Sequence, residues 1–301
     1  GSVKKRDLRG AVTSVKSAEV LAAPTNNVME ALQGKIPGMD ITKTSGQVGG
    51  DVTILLRGTR SIYGSNEPLF IIDGIPGSYS QVSPSDIESV DVLKDASSTA
   101  IYGSAGANGV VIITTKRGKE GKVTVNFDAY YGFSGSPNYR HGMTRDEWVT
   151  YQQEAYKYKN GDYPTDMSAL LGKQDFIDAY NDGKWIDWID EVSGNTATTQ
   201  KYSLSVSSGT EKTKLFASTS YNREEGLLNN ENLNRYSLRL NLDQQIFSWA
   251  KVGFTSNLVY RDLNSGVKNT FTKSLSAIPL GDASTEKGEI NHEYITDNMP
   301  R

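Results

Sequence analysis

Cysteine is absent from the 301 residues, which excludes disulfides, thiolate metal sites and cysteine nucleophiles together. Histidine is nearly absent. His141 and His292 sit in polar, turn-like stretches (Arg140-His-Gly142 and Asn291-His-Glu293), so a metal centre or a histidine-based triad has little to build on. Neither charge dominates: 32 Lys and Arg face 35 Asp and Glu, a formal net charge of -3, and a nucleic-acid backbone finds no electrostatic footprint. No run approaches the roughly 20 apolar residues of a membrane helix, and the opening GSVKKRDL lacks the apolar stretch of a signal peptide. Membrane β-strands are untouched by that exclusion, because they alternate apolar and polar residues.

What is present changes character near Lys119. Before it, short strands and helices alternate, as in a small α/β domain. Asn27 with Glu30 three residues on resembles a capping box for a helix through Leu32, ended at Gly34. VTILLRG from Val52 has the composition of a mostly buried strand. In PLFIIDGIPG, Asp73-Gly74 interrupts an apolar run and suits the two positive φ angles of a type I′ hairpin turn. Ser83-Pro84 opens a short turn, VDVLK is a strand, and DASSTAIYG a short helix. GVVIITTK, from Gly109 to Lys116, is β-branched and almost wholly apolar, which suits a central strand covered on both faces.

After Lys119 the period becomes two. Val123, Val125, Phe127, Ala129, Tyr131 and Phe133 alternate with Thr124, Asn126, Asp128 and Tyr130. The pattern returns at Tyr202-Leu204-Val206, Leu215-Ala217-Thr219-Tyr221, Tyr236-Leu238-Leu240-Leu242 and Val252-Phe254-Leu258-Tyr260, giving five strands. Their connections alternate between short turns and longer segments, and aromatics (Tyr130, Tyr131, Tyr221, Tyr236, Trp249, Tyr260) gather near strand ends, as outer-membrane barrels show. A soluble antiparallel sandwich alternates in the same way, and the period alone does not choose. The long connection 134–199 is partly helical: Thr144 and Glu147 form a capping box before WVTYQQEAYKYK. Its aromatics, among them Trp148, Trp185 and Trp188, either pack these helices together or stack on a ligand.

The G-x-x-G-x-x-G spacing of Gly103, Gly106 and Gly109 invites comparison with a phosphate-gripping loop. The order of elements is wrong, because a phosphate loop needs strand, glycines, then a helix N-terminus, whereas here the helix comes first and the strand last. The glycines instead make a bend where bulk would obstruct packing. Ser104 lacks the spacing of a nucleophile elbow, and the carboxylate pairs Asp86 with Glu88 and Asp187 with Asp190 are equally well explained as surface charge. No catalytic constellation remains, so neither an enzyme nor a cofactor is expected.

LQGKIPGMDI, SGQVGGDVTILLRGT, GSNEPLFIIDGIPG, DIESVDVLKDASSTAIYGSAGANGVVIITTKRG and NRYSLRLNLDQQIFSWAKVG together resemble the plug domain and first barrel strands of a SusC/RagA-type TonB-dependent outer-membrane transporter. The resemblance runs from about Val3 to Arg261. It implies an α/β plug domain, a small mixed sheet with short helices, over 1–119, followed over 120–301 by antiparallel transmembrane strands of an incomplete β-barrel. A full barrel of this kind has about 22 strands, and five leave two unpaired edges, so the chain is expected to be a fragment. The resemblance further implies import of an oligosaccharide or peptide across the outer membrane, with a SusD-like surface lipoprotein and the TonB-ExbB-ExbD complex as partners. The N-terminus would be periplasmic, with the TonB box just before GSVKKRDL. A signal-transducing receptor of the same architecture and, more remotely, a soluble β-sandwich binding module are the rival readings.

Residue roles follow from the same resemblance. Arg57, Lys116 and Arg117 match plug positions where basic residues pair with barrel-wall carboxylates to latch the plug, ordinary solvated charge being the alternative. Tyr63, Asn66 and Tyr79 on plug loops are the expected substrate contacts, with Trp148, Trp185 and Trp188 from the long loop. Asp73, Gly74, Gly103, Gly106 and Gly109 are structural turns.

Overall fold

The computed structural model describes residues 12–23, 25–43, 45–56, 58–59, 65–95, 99–135, 142–193, 196–265 and 270–281. The chain divides into two compact units. The first gathers Gly1–Gly132, Thr198–Glu225 and Asn232–Asn264, and the second Phe133–Ala197, Gly226–Glu231 and Ser265–Arg301.

Within the first unit, a mixed sheet has the order β1-β6-β7-β4-β5, formed by Val12–Lys16, Ile87–Leu93, Val110–Thr115, Leu69–Ile72 and Ile75–Pro76. β7 lies at its centre, antiparallel to β6 and parallel to β4. That position explains its sequence, since a strand with neighbours on both edges and layers on both faces tolerates Val and Ile throughout. A separate two-stranded ribbon pairs β2 (Met39–Lys43) with β3 (Val52–Leu56). Val20, Met29, Leu32, Ile54, Ile87 and Ile113 are fully buried in the core between these layers and two short helices, Ser17–Leu21 and Val28–Leu32.

Local chemistry sets the turns. Asp73 (φ 49) and Gly74 (φ 93) both take positive φ between β4 and β5, as the Asp-Gly pair leads one to expect. The Asn27 side chain accepts from Met29 N at 2.9 Å and caps its helix. Glu30 does not close the expected capping box: its carboxylate accepts from Thr25 Oγ1 at 2.8 Å and pairs with Lys43 at 3.3 Å, a contact from β2 that sequence spacing does not foresee. The expected helix before β7 is a run of 3-10 turns, Ala100–Gly106, kinked at Gly103 (φ 57).

The second sheet has the order β12-β11-β10-β9-β8, from Ala250–Ser265, Glu231–Phe247, Thr213–Glu225, Ala197–Gly209 and Gly121–Ser134. All five expected strands form. The connection between β10 and β11 is much shorter than the sequence implies, because both strands run on through residues that looked like loop and leave only Gly226 to Asn230.

Burial on this sheet is inverted relative to a soluble protein. Facing the plug and buried are Ser218, Ser220, Asn222, Arg235, Ser237, Arg239, Asn241 and Asp243, with the apolar Phe216 and Leu233. Exposed on the other face are Leu204, Leu238, Leu240, Val252, Phe254 and Leu258. A soluble sandwich buries the apolar set, and a membrane wall does the reverse. Tyr202, Tyr221, Tyr236 and Tyr260 form a row across four strands, with successive ring centroids 6.5, 4.9 and 6.2 Å apart. Phe247 and Trp249 stack at the opposite end of β11. From Tyr236 to Phe247 the strand advances about 36 Å, or about 28 Å along the normal at a tilt of about 40°, which matches the apolar band of a barrel wall.

The second unit is helical. Arg145–Asn160 begins at the expected Thr144/Glu147 capping box and ends at Gly161 (φ 86). Leu171, Phe176, Ala179 and Leu280 form its core, with Trp148 packed against it. Trp188 is buried and donates Nε1–H to Ile278 O at 2.9 Å.

Candidate functional site

The first unit is held together where plug meets wall. The hairpin turn after β4 points the Asp73 carboxylate at the end of β7. There it accepts from Thr115 N (2.9 Å) and Thr115 Oγ1 (2.6 Å), and Arg239 of β11 donates Nη2 to Asp73 Oδ2 (2.5 Å) and to Thr115 Oγ1 (2.7 Å). Both charged side chains are buried, Arg239 at 1% and Asp73 at 9% exposure, so the pair is shielded from water. The next two inward positions of β11 continue along the same segment. Asn241 Nδ2 donates to Lys116 O at 2.7 Å, and Arg117 Nη1 lies 3.2 Å from Asp243 Oδ1. Alternation makes this ladder possible: every second side chain of β11 faces the plug.

A second contact lies beside it. Ser218 Oγ donates to Asp86 Oδ1 at 2.7 Å, and the Asp86 carbonyl accepts from Lys116 N at 2.8 Å. Burial pushes the Asp86 carboxyl above its ordinary pKa, opposed by the Ser218 hydrogen bond and by Arg239, Lys116 and Arg235. At the far end of the interface, Asn26 Nδ2 donates to Glu224 Oε1 (2.7 Å), Asn257 Nδ2 to Gln81 O (2.6 Å) and Arg261 Nη2 to Gly49 O (2.7 Å). A cavity of about 230 Å³ opens there, with Tyr79 on its plug side and Asn222, Arg235 and Arg261 on its wall side. Burial raises the Tyr79 hydroxyl's pKa, helped by Asp51 and Glu67.

Of the basic residues singled out in sequence, Arg117 meets Asp243, Lys116 is held through its backbone, and Arg57 lies outside the described residues. Tyr63 also lies outside them. Asn66 is half-buried, and Tyr79 packs on Phe70 with ring centroids 5.1 Å apart. In the second unit Trp148 and Trp188 line one cavity with Met143 and Ile278, while Trp185 is 45% exposed and bridges to Leu280. Gly106 and Gly109 have crowded surroundings, and Gly103 has open space but positive φ. Arg239, Arg235, Asn241 and Ser218 were not singled out from sequence. The signal for the first three was the polar half of the alternation in Arg235-Tyr-Ser-Leu-Arg-Leu-Asn-Leu-Asp243, and that for Ser218 the polar half of the alternation in β10. Among the described residues no group of three or more His, Asp or Glu is placed to hold a metal.

Residues 4–110 match the TonB-dependent receptor plug domain. The chain is 32% identical over 97% of its length to TonB-dependent receptor P26 of Formosa agariphila, covering 29% of that protein. It is 33% identical over 82% of its length to TonB-dependent receptor SusC of Bacteroides thetaiotaomicron, covering 24% of it. The RagAB peptide importer in its closed-closed state superposes with a TM-score of 0.80 at 31% identity, over 94% of this chain and 35% of that one. The siderophore receptor PirA of Acinetobacter baumannii, at 16% identity and a TM-score of 0.52, shares the fold alone. The chain thus spans about a third or less of the proteins it matches. With a plug sheet docked on the polar face of a wall whose other face is apolar, and with these matches, the chain belongs to the TonB-dependent receptors of the SusC and RagA kind, carrying the plug and part of the barrel.

Proposed function

We propose that the receptor carrying this chain imports a nutrient, an oligosaccharide or a peptide, across the outer membrane, with the plug over 1–119 gating the barrel that begins in 120–301. TonB-ExbB-ExbD supplies the energy from the periplasmic side, and a SusD-like lipoprotein covers the outer side. The observation that carries the reading is the inverted burial of the second sheet, because a polar face closed over a plug and an apolar face edged by tyrosines suit a stopper inside a membrane wall. Arg117 through Asp243, Lys116 through its backbone, and Arg57 latch the plug, with Arg239 on Asp73 as the most buried member. Tyr63, Asn66, Tyr79, Trp148, Trp185 and Trp188 contact substrate.

Uptake in cells is the test. Cells producing the full-length receptor are given a fluorescently labelled casein digest and a labelled pool of starch oligosaccharides. One of the two is expected to accumulate in cells with TonB and not in cells lacking it. Accumulation that does not depend on TonB, or none from either pool, overturns the importer reading.

A further inference from the structure

Among the described residues, the buried plug–wall atoms without a hydrogen-bonding partner fall mainly in two places: Arg239 Nε and Nη1 with Asn241 Oδ1 at the latch, where Asp73 already supplies the counter-charge, and a second group around Arg235. Arg235 is 7% exposed, yet its Nε and Nη2 have no hydrogen-bonding partner among the described residues. Asn222, its partner in the β10–β11 register, is 2% exposed, and its Oδ1 also has none. Both line the cavity described above. A buried guanidinium is retained at such cost only when an anion or strong acceptor completes it.

Three of the other charges around the cavity are fully engaged and Arg261 is engaged in part. Lys43 pairs with Glu30, Glu224 accepts from Asn26, and Arg261 donates one Nη2–H to Gly49 O and keeps its remaining donors. The open valences are therefore donors from Arg235 and Arg261, an acceptor on Asn222 and the Asp51 carboxylate. Glu224, Glu30 and Asp51 on the same lining disfavour a doubly charged group, whereas a single negative charge matches Arg235. The cavity also lies at the end of the wall away from the short turns at 210–212 and 248–249, which in outer-membrane barrels are periplasmic. It thus lies toward the end of the wall from which substrate would arrive.

We propose that this cavity is a substrate subsite for a carboxylate with a hydrogen-bond donor on a neighbouring atom: Arg235 and Arg261 hold the carboxylate, and Asn222 Oδ1 accepts from the donor. The C-terminal residue of a peptide has this chemistry, and so does a uronate with its ring hydroxyl. The inference rests on the importer reading and goes beyond it in naming the group recognised.

Calorimetric titration of the full-length receptor in detergent tests it with four probes: trialanine, trialanine amide, trigalacturonate and neutral galactotriose. The acid member of one pair is expected to bind about tenfold or more tightly than its neutral counterpart. That preference is expected to fall to about one in Arg235→Gln, whereas Asn222→Ala, which leaves every charge in place should the first variant fold poorly, is expected to weaken both members of the pair about threefold or more with the preference kept. The pair that shows the preference identifies the carboxylate's source. Equal binding within both pairs, binding of no probe, a preference unchanged in Arg235→Gln, or affinities unchanged in Asn222→Ala overturns the subsite. TonB-dependent uptake of the labelled pools is read separately, so absence of any acid preference in the unsubstituted receptor with uptake intact rejects the subsite and leaves the importer reading standing.

Discussion

Asp73 shows how one residue serves both backbone and interface. Its positive φ makes the hairpin turn, and the same turn aims its carboxylate at Thr115 and Arg239. Magnitudes then rank the latch residues. Arg239 is almost wholly buried, and removing one partner of a buried pair leaves the other charge uncompensated, at about 3–5 kcal/mol. Arg117 is 42% exposed, so its pair with Asp243 contributes no more than about 1 kcal/mol. In the full-length receptor Arg239→Met is therefore expected to loosen the plug and Arg117→Met barely to do so, while Asp73→Asn combined with Arg239→Met recovers most of the loss. Vancomycin sensitivity of cells carrying each variant measures the leak. Equal sensitivity in Arg117→Met and Arg239→Met would refute the ranking.

At the scale of the element, the entry to β7 depends on a glycine for two reasons. Gly109 has φ 97, and a Cβ there would lie 2.6 Å from Leu56 Cδ1 and 3.3 Å from Leu93 O. The leucine methyl can swing aside, but the backbone angle and the carbonyl cannot, so Gly109→Ala is expected to destabilise the plug by about 2–4 kcal/mol. Gly106 meets its neighbours at 3.1 to 3.2 Å without a positive φ, and Gly106→Ala is expected to cost about 1 kcal/mol. Urea midpoints of the full-length receptor compare the two, and a larger effect at Gly106 would contradict the account. Elements of this kind were legible in sequence where their determinants are local: the period of two in β8 to β12, the Asp-Gly turn, the Thr144/Glu147 cap. Contacts made by distant segments were not. Glu30 looked like a cap until β2 brought Lys43 to it, and Asn-rich residues after Glu225 looked like loop until pairing with β10 drew them into β11. For the same reason the polar face of β11 was visible as alternation, while the pairing of Arg239 with Asp73, 166 residues away, was not.

Across the whole molecule, the wall is the part that cannot stand alone. Among the described residues β8 and β12 each pair on one edge, and β8 is exposed along almost its entire length, with Val123, Val125, Phe127 and Phe133 all more than 60% exposed. Unpaired edges beside contiguous apolar surface invite association with other chains. The plug differs, because β7 is paired on both edges and its residues sit in a closed core. The 301-residue chain by itself in water is thus expected to split in behaviour. Amides of β4, β6 and β7 should be protected from hydrogen exchange while those of β8 and β12 exchange freely, and the chain should aggregate through its strands. In the full-length receptor in detergent, where both edges find neighbours, β8 and β12 should gain protection comparable to β10. A monodisperse monomer of the 301-residue chain with all five wall strands protected would show that the wall closes without further strands, and would remove the physical basis for treating it as part of a larger barrel.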